Sequence, residues 1–147
     1  MGAYNQIESA LIHGGIYGDA TTGAVNTPIY QTSTYMQESL GKHRGYEYSR
    51  TGNPTRAALE SLIAELESGM AGFAFASGMA AIAAVLSLFQ SGDSVIISSN
   101  VYGGTFRILD KVWGNFGVGY KIVDTSNLEA VNSAITSPTN ITLTLLT

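Results

Sequence analysis

The sequence contains no cysteine, only two histidines, and a charged fraction of just 12%. Without cysteine, disulfide staples and thiolate chemistry are both excluded. His13 and His43 alone give a metal ion little to bind, so no metal site is expected. Positive charge is also scarce: the net charge is −4, and a general nucleic-acid binder needs a basic surface. No Gly-x-Ser-x-Gly elbow exists to expose a serine nucleophile. The glycine spacing fits neither the Walker loop nor the dinucleotide fingerprint. The start of the chain carries Glu8 and no basic segment before an apolar core, which excludes a secretory signal. Met1-Gly2 opens like a myristoylation site, but Gln6 stands where Ser or Thr is needed. These absences point to a cytoplasmic protein, with no nucleic acid and no membrane among its partners.

Hydrophobic residues, at 45% of the chain, are plentiful. At 147 residues there is enough chain for a domain with a real core. The organising stretch is 72–90. Phe73-Ala74-Phe75-Ala76 is an apolar run suited to a buried strand, and Ser77-Gly78 breaks it. From Met79, the residues Ile82, Ala83, Leu86 and Phe89 recur at helical spacing, with Val85 and Leu88 widening the face. A strand, a tight turn and a helix leave free N–H groups at a positive dipole end. Gly78 lacks a side chain that would block an anion and Ser77 can cap the helix, which together make a recipe for holding phosphate. An ordinary buried strand–helix unit with a serine cap explains the same residues, and locally both readings stand. A membrane span does not fit, since Gly and Ser interrupt the stretch and no basic cluster flanks it.

The first fifty residues differ from the rest. Residues 6–12 are weakly helical, His13-Gly14-Gly15 and Thr22-Gly23 read as turns, and residues 28–35 are extended and β-prone. A long irregular segment suits either an arm reaching onto another subunit or a partly disordered lead-in. Asn53 as N-cap and Pro54 at the first helical position then start a helix strongly. Leu59, Leu62, Ile63 and Leu66 form one face of it, Arg56 and Glu60 can pair one turn apart, and Gly69 ends it. After Gly92-Asp93, residues 94–98 read as a strand. Tyr102-Gly103-Gly104-Thr105 begins a helix bearing Phe106, Leu109, Trp113 and Phe116 on one side. Residues 120–123, 127–135 and 141–145 continue as strand, helix and strand. This alternation predicts an α/β fold with a mostly parallel sheet covered by helices.

Together these segments carry a resemblance. Thr22-Gly23-Ala24-Val25, Pro28-Ile29-Tyr30, Tyr48-Ser49-Arg50, Asn53-Pro54-Thr55, Ser77-Gly78-Met79-Ala80-Ala81 and Tyr102-Gly103-Gly104-Thr105 occur in the order and spacing of one family. From about residue 13 to about residue 139 the chain resembles the N-terminal part of the pyridoxal-phosphate (PLP) enzymes of cysteine and methionine metabolism. That family comprises the cystathionine γ-synthases, cystathionine lyases, methionine γ-lyases and O-acylhomoserine sulfhydrylases.

The resemblance implies part of the large domain of the aspartate-aminotransferase-like, fold type I, PLP-dependent transferase fold. Residues 1–53 would form an arm carrying subunit and phosphate contacts, and residues 54–147 the PLP-binding domain. It implies that the N–H groups of Gly78 and Met79, with Ser77 beside them, bind the cofactor phosphate. Tyr48 and Arg50 would reach the phosphate of a neighbouring subunit in a homo-oligomer. Tyr102 would stack on the cofactor ring and assist proton transfer. The implied activity is carbon–sulfur chemistry on sulfur-containing or O-acylated amino acids, of cystathionine lyase or γ-synthase type. The chain departs from the pattern at its end. The family's Schiff-base lysine, the aspartate at the pyridine nitrogen and a Glu-Thr-Pro-x-Asn-Pro segment are absent. Ser137-Pro138-Thr139-Asn140 stands where a Thr-Lys precedes the strand in the family, with Asn140 in place of lysine. Residues 141–147 no longer follow the pattern, as expected of a truncation or frameshift. Lys42, Lys111 and Lys121 lack the desolvated setting that Schiff-base chemistry requires, so the chain alone is expected to be inactive. The other readings are a non-catalytic phosphate- or PLP-binding module, or a product without function.

Overall fold

The computed structural model describes residues 6–135 and the backbone of 140–142. The chain divides into two compact units, Met1–Ala74 and Phe75–Thr147.

In the first unit, helix α1 (Ile7–His13) packs on helix α2 (Pro54–Leu66). Gly14-Gly15 turns the chain against α2. At Gly15 φ is +66°, and a Cβ there would stand 2.1 Å from the Ala58 carbonyl oxygen, so only glycine fits. Residues 28–50 form no regular strand. They fold back through an antiparallel bridge between Thr34 and Tyr48, with Tyr35 N–H donating to Glu47 O at 3.1 Å and Ser49 N–H to Ser33 O at 2.9 Å.

The polar start of α2 fastens this segment. Asn53 Oδ1 accepts from Thr55 N–H at 2.8 Å, which caps the helix, while Asn53 Nδ2 donates to Tyr30 O at 3.0 Å. Thr55 Oγ1 accepts from Tyr30 N–H and donates to Pro28 O. Arg56 pairs with Glu60 at 3.3 Å, one turn on, and its guanidinium also donates to Ser49 O and Thr51 O. A segment too polar to bury itself is thus ordered by satisfying its backbone groups.

At its far end α2 closes one residue earlier than its glycine suggests. Ser68, at φ +54°, occupies the left-handed position expected of Gly69. Gly69 N–H donates to Ala64 O at 2.7 Å and Ser68 N–H to Glu65 O at 3.2 Å, the paired bonds of a Schellman ending.

The second unit holds the sheet. Helix α3 (Gly78–Leu86) precedes strand β1 (Ser94–Ser98). Helix α4 (Gly103–Lys111) and a 3-10 turn (Trp113–Phe116) lead to strand β2 (Gly119–Val123). Helix α5 (Leu128–Ala134), capped by Asn127, and strand β3 (Asn140–Thr142) follow. The strand order is β2-β1-β3, all parallel. As the middle strand, β1 is covered on both faces, which is why Val95-Ile96-Ile97 is a continuous apolar run. Ile82, Leu86 and Phe89 pack with Val95, Ile97, Leu109 and Val118 into one core. Truncating a side chain as buried as Leu86 or Leu109 to alanine costs about 2–5 kcal/mol, so this cluster carries the unit's stability.

Two expectations need correction, and a third falls partly outside the described residues. Residues 73–76 form no strand, because no described strand pairs with them; Ala74 N–H is satisfied instead by Glu60 Oε1 at 2.9 Å. A β-prone run without a neighbour for its backbone groups does not become a strand. Leu88 and Phe116 are exposed rather than part of the apolar faces, since α3 stops at Leu86 and α4 at Lys111. Of residues 141–145, the strand covers 141 and 142; the remainder and the Ser137-Pro138-Thr139 stretch lie outside the described residues.

Candidate functional site

The N-terminus of α3 is built as the sequence suggests. Ser77 is extended (φ −158°, ψ 156°), and its hydroxyl accepts from Ala80 N–H at 3.1 Å. Ala81 N–H donates to Ser77 O. That leaves the N–H groups of Gly78 and Met79, the first two of the helix, without an acceptor among the described residues. A Cβ on Gly78 would meet nothing within 4 Å. The position a side chain would take at residue 78 is therefore open.

A cleft of about 530 Å³ opens here, lined by Ser77, Gly78, Met79, Ile82 and Tyr102. Four residues singled out in the sequence, Ser77, Gly78, Met79 and Tyr102, thus share one concavity. Tyr102 is the N-cap of α4, at φ −53° and ψ 132°, and the residue is 60% exposed. Ile82 was not anticipated in the cleft. It lies one helical turn beyond Met79 on the same face, so the helical period carried that signal. On the other side of Tyr102 a groove of about 410 Å³ runs along α4, lined by Met79, Gly104, Arg107 and Lys111 among others.

Tyr48 and Arg50 belong to the first unit, where they pair with one another. Arg50 Nη2 donates to Tyr48 Oη at 2.6 Å, and the guanidinium carbon lies 5.0 Å from the ring centroid. The planar cation is thereby oriented by a hydrogen bond and a cation–π contact.

Each lysine is engaged. Lys42 pairs with Glu38 at 2.9 Å, and Lys121 Nζ donates to Ala134 O at 2.9 Å. Lys111 Nζ lies 2.7 Å from Asp110 Oδ2, and this hydrogen bond raises the lysine above its ordinary value. Asp110, held by Lys111 and by the Tyr120 hydroxyl at 3.0 Å, is correspondingly lowered. Among the described residues no cluster of three His, Asp or Glu could hold a metal, and no helix is long and apolar enough to cross a membrane.

A cleft of this kind, with two free N–H groups, an open glycine and an aromatic wall, fits a phosphate that carries a flat ring. Comparison with known proteins gives the family. Cystathionine beta-lyase of Lactococcus lactis subsp. cremoris is 59% identical over 133 residues, which cover 90% of this chain and 35% of the relative. Cystathionine gamma-synthase of Mycobacterium leprae is 52% identical over 137 residues, covering 92% and 35%. The crystal structure of cystathionine gamma-lyase from Lactobacillus plantarum complexed with L-serine superposes with a TM-score of 0.83 at 59% identity, covering 92% of this chain and 35% of that one. The chain therefore spans about a third of the length of these relatives. The model for the Cys/Met metabolism PLP-dependent enzymes matches residues 8–144, nearly the whole sequence, and with the parallel α/β architecture agreeing, the chain belongs to that family.

Proposed function

We propose that this chain supplies the phosphate cradle and the ring-stacking wall of a PLP site serving carbon–sulfur chemistry of cystathionine lyase or γ-synthase type. The observation that carries the reading is the pair of unpartnered N–H groups at Gly78 and Met79 facing a cleft walled by Tyr102. Gly78 and Met79 N–H bind the phosphate, with the α3 dipole adding to the attraction. Ser77 holds the turn through its cap on Ala80. The Tyr102 ring orients the cofactor ring by stacking, and its Oη holds or passes a proton. Tyr48 orients Arg50 for a bidentate contact with phosphate in a neighbouring subunit, residues 1–53 acting as the arm and 54–147 as the cofactor-binding part. The chemistry PLP supplies when bound is an electron sink beside the reacting carbon. Substrates are sulfur-containing or O-acylated amino acids, and the setting is cytoplasmic.

A second reading, a binding module without catalysis, draws support from the lysines. Schiff-base chemistry needs a neutral, desolvated amine. Lys111 is shifted the opposite way by Asp110, and Lys42 is held in an exposed ion pair. Titration of the chain with PLP, competed by inorganic phosphate, tests binding. Incubation with PLP and cystathionine, methionine or O-acetylhomoserine tests turnover. Saturable binding that phosphate displaces is expected, with turnover no faster than free cofactor. Turnover with borohydride trapping at a single lysine overturns the assignment of an amine-free site.

A further inference from the structure

We propose that Gly104 is a positioning residue that seats the Tyr102 ring at the cleft, an inference that rests on the reading of this cleft as a PLP site. A Cβ on Gly104 would stand 2.5 Å from Tyr102 Cε1, 3.0 Å from Tyr102 Cδ1 and 2.9 Å from Met79 Sδ. Tyr102 and Met79 are two of the residues that wall the cleft. One edge of the ring and the thioether therefore rest on the bare Cα of Gly104, and a methyl group there displaces both.

The backbone does not ask for this glycine. Gly104 lies inside α4 with no positive φ, where alanine is the better helix former. The requirement is for space alone. Gly103, immediately before it, has nothing within 4 Å of its Cβ position, so the two adjacent glycines differ in what they touch. As a residue 60% exposed, Tyr102 is held weakly by burial, and the seat on Gly104 and Met79 sets where its ring stands. Displacing the ring alters stacking but leaves the N–H groups of Gly78 and Met79 untouched. Gly104 thus favours a ring-bearing phosphate over a bare one.

The test uses the full chain labelled at its methionine methyls. There are four methionines, and Met79→Leu assigns the signal of interest. Gly104→Ala should move the Met79 methyl resonance, whereas Gly103→Ala should not. PLP affinity in Gly104→Ala should fall about two- to tenfold, the span of an aromatic stacking contact, with inorganic phosphate affinity unchanged. In a Tyr102→Ala background, Gly104→Ala should cost no further PLP affinity. If Gly104→Ala folds poorly, removing the ring must restore its stability, and failure to do so overturns the seat. An unmoved Met79 methyl, or parallel losses of PLP and phosphate affinity, also overturns it. Wild-type protein that binds neither ligand defeats the cofactor reading, while the methyl resonance still decides the seat.

Discussion

Gly78→Val separates the phosphate cradle from the fold that carries it. The glycine is the first residue of α3, has no positive φ, and has no atom within 4 Å of its Cβ position. A Cβ at this position therefore meets no neighbour among the described residues, and the cap from Ser77 to Ala80 does not involve it. The branched side chain is expected to crowd the approach to the Gly78 and Met79 N–H groups. A hydrogen bond to a charged acceptor contributes about 1.5–3 kcal/mol, and the helix end adds about 0.3–1 kcal/mol. Preventing one such bond should weaken binding about tenfold to a hundredfold. Calorimetric titration with inorganic phosphate and with PLP measures this directly. Both affinities should fall together, while the thermal midpoint stays near wild type. Ser77→Ala gives the contrasting pattern: loss of the cap lowers stability by about 1 kcal/mol. Wild-type binding that survives unchanged in Gly78→Val would show that the anion sits elsewhere.

Ser68→Gly should raise stability by about 1 kcal/mol, since serine bears a left-handed conformation at φ +54° that glycine adopts freely. A lower denaturation midpoint in that variant refutes the assignment of strain. Asp19 is held below its ordinary value of 3.8 chiefly by the Thr22 hydroxyl, with the Thr22 and Thr21 N–H groups adding to the effect. Because the folded value is depressed, this stabilisation is present above the ordinary value and lost as pH falls below it. The Thr22 amide resonance should follow that loss, and Asp19→Asn should abolish it; a resonance that does not move with acid counts against the loop's dependence on the carboxylate. Exposed Ile7 and Leu11 on α1 and Leu59 and Ile63 on α2 predict self-association, which sedimentation at micromolar concentration checks; a clean monomer refutes it.

What was legible in the sequence is what short-range chemistry decides. Asn53-Pro54 and Ser77-Gly78 announce helix starts because a cap and a missing N–H or side chain act within one turn. Arg56 and Glu60 meet because the helical period brings them together. Residues 94–98 read as a strand from their apolar, β-branched run alone, and β1 forms over the same residues. What was not legible depends on partners distant in the chain. Residues 73–76 have strand composition, yet nothing local tells whether a neighbour will pair with them. Ser68 takes the left-handed position because the bonds to Ala64 and Glu65 close there, against the preference for glycine one residue on. At the cleft, Tyr102 and Met79 were visible as motif members. The bare Cα of Gly104 between them emerges only when α3 and α4 pack.

The same distinction bears on the proposal that this chain holds an anion without reacting with it. A phosphate cradle is local: a strand-like residue, a capping hydroxyl, a glycine and the first turn of a helix suffice. An amine that attacks a carbonyl is not local, since it must be stripped of both water and counterion to be neutral at working pH. Lys111 lines the same groove as Tyr102. Its immediate neighbour Asp110 lies 2.7 Å away and stabilises the ammonium form. The Tyr120 hydroxyl, donating to the other carboxylate oxygen, fixes Asp110 in that role. A lysine raised in this way keeps its proton until pH exceeds its ordinary value of 10.5. On the proposed reading, the ion pair with Asp110 keeps Lys111 protonated and so withholds it from bond making.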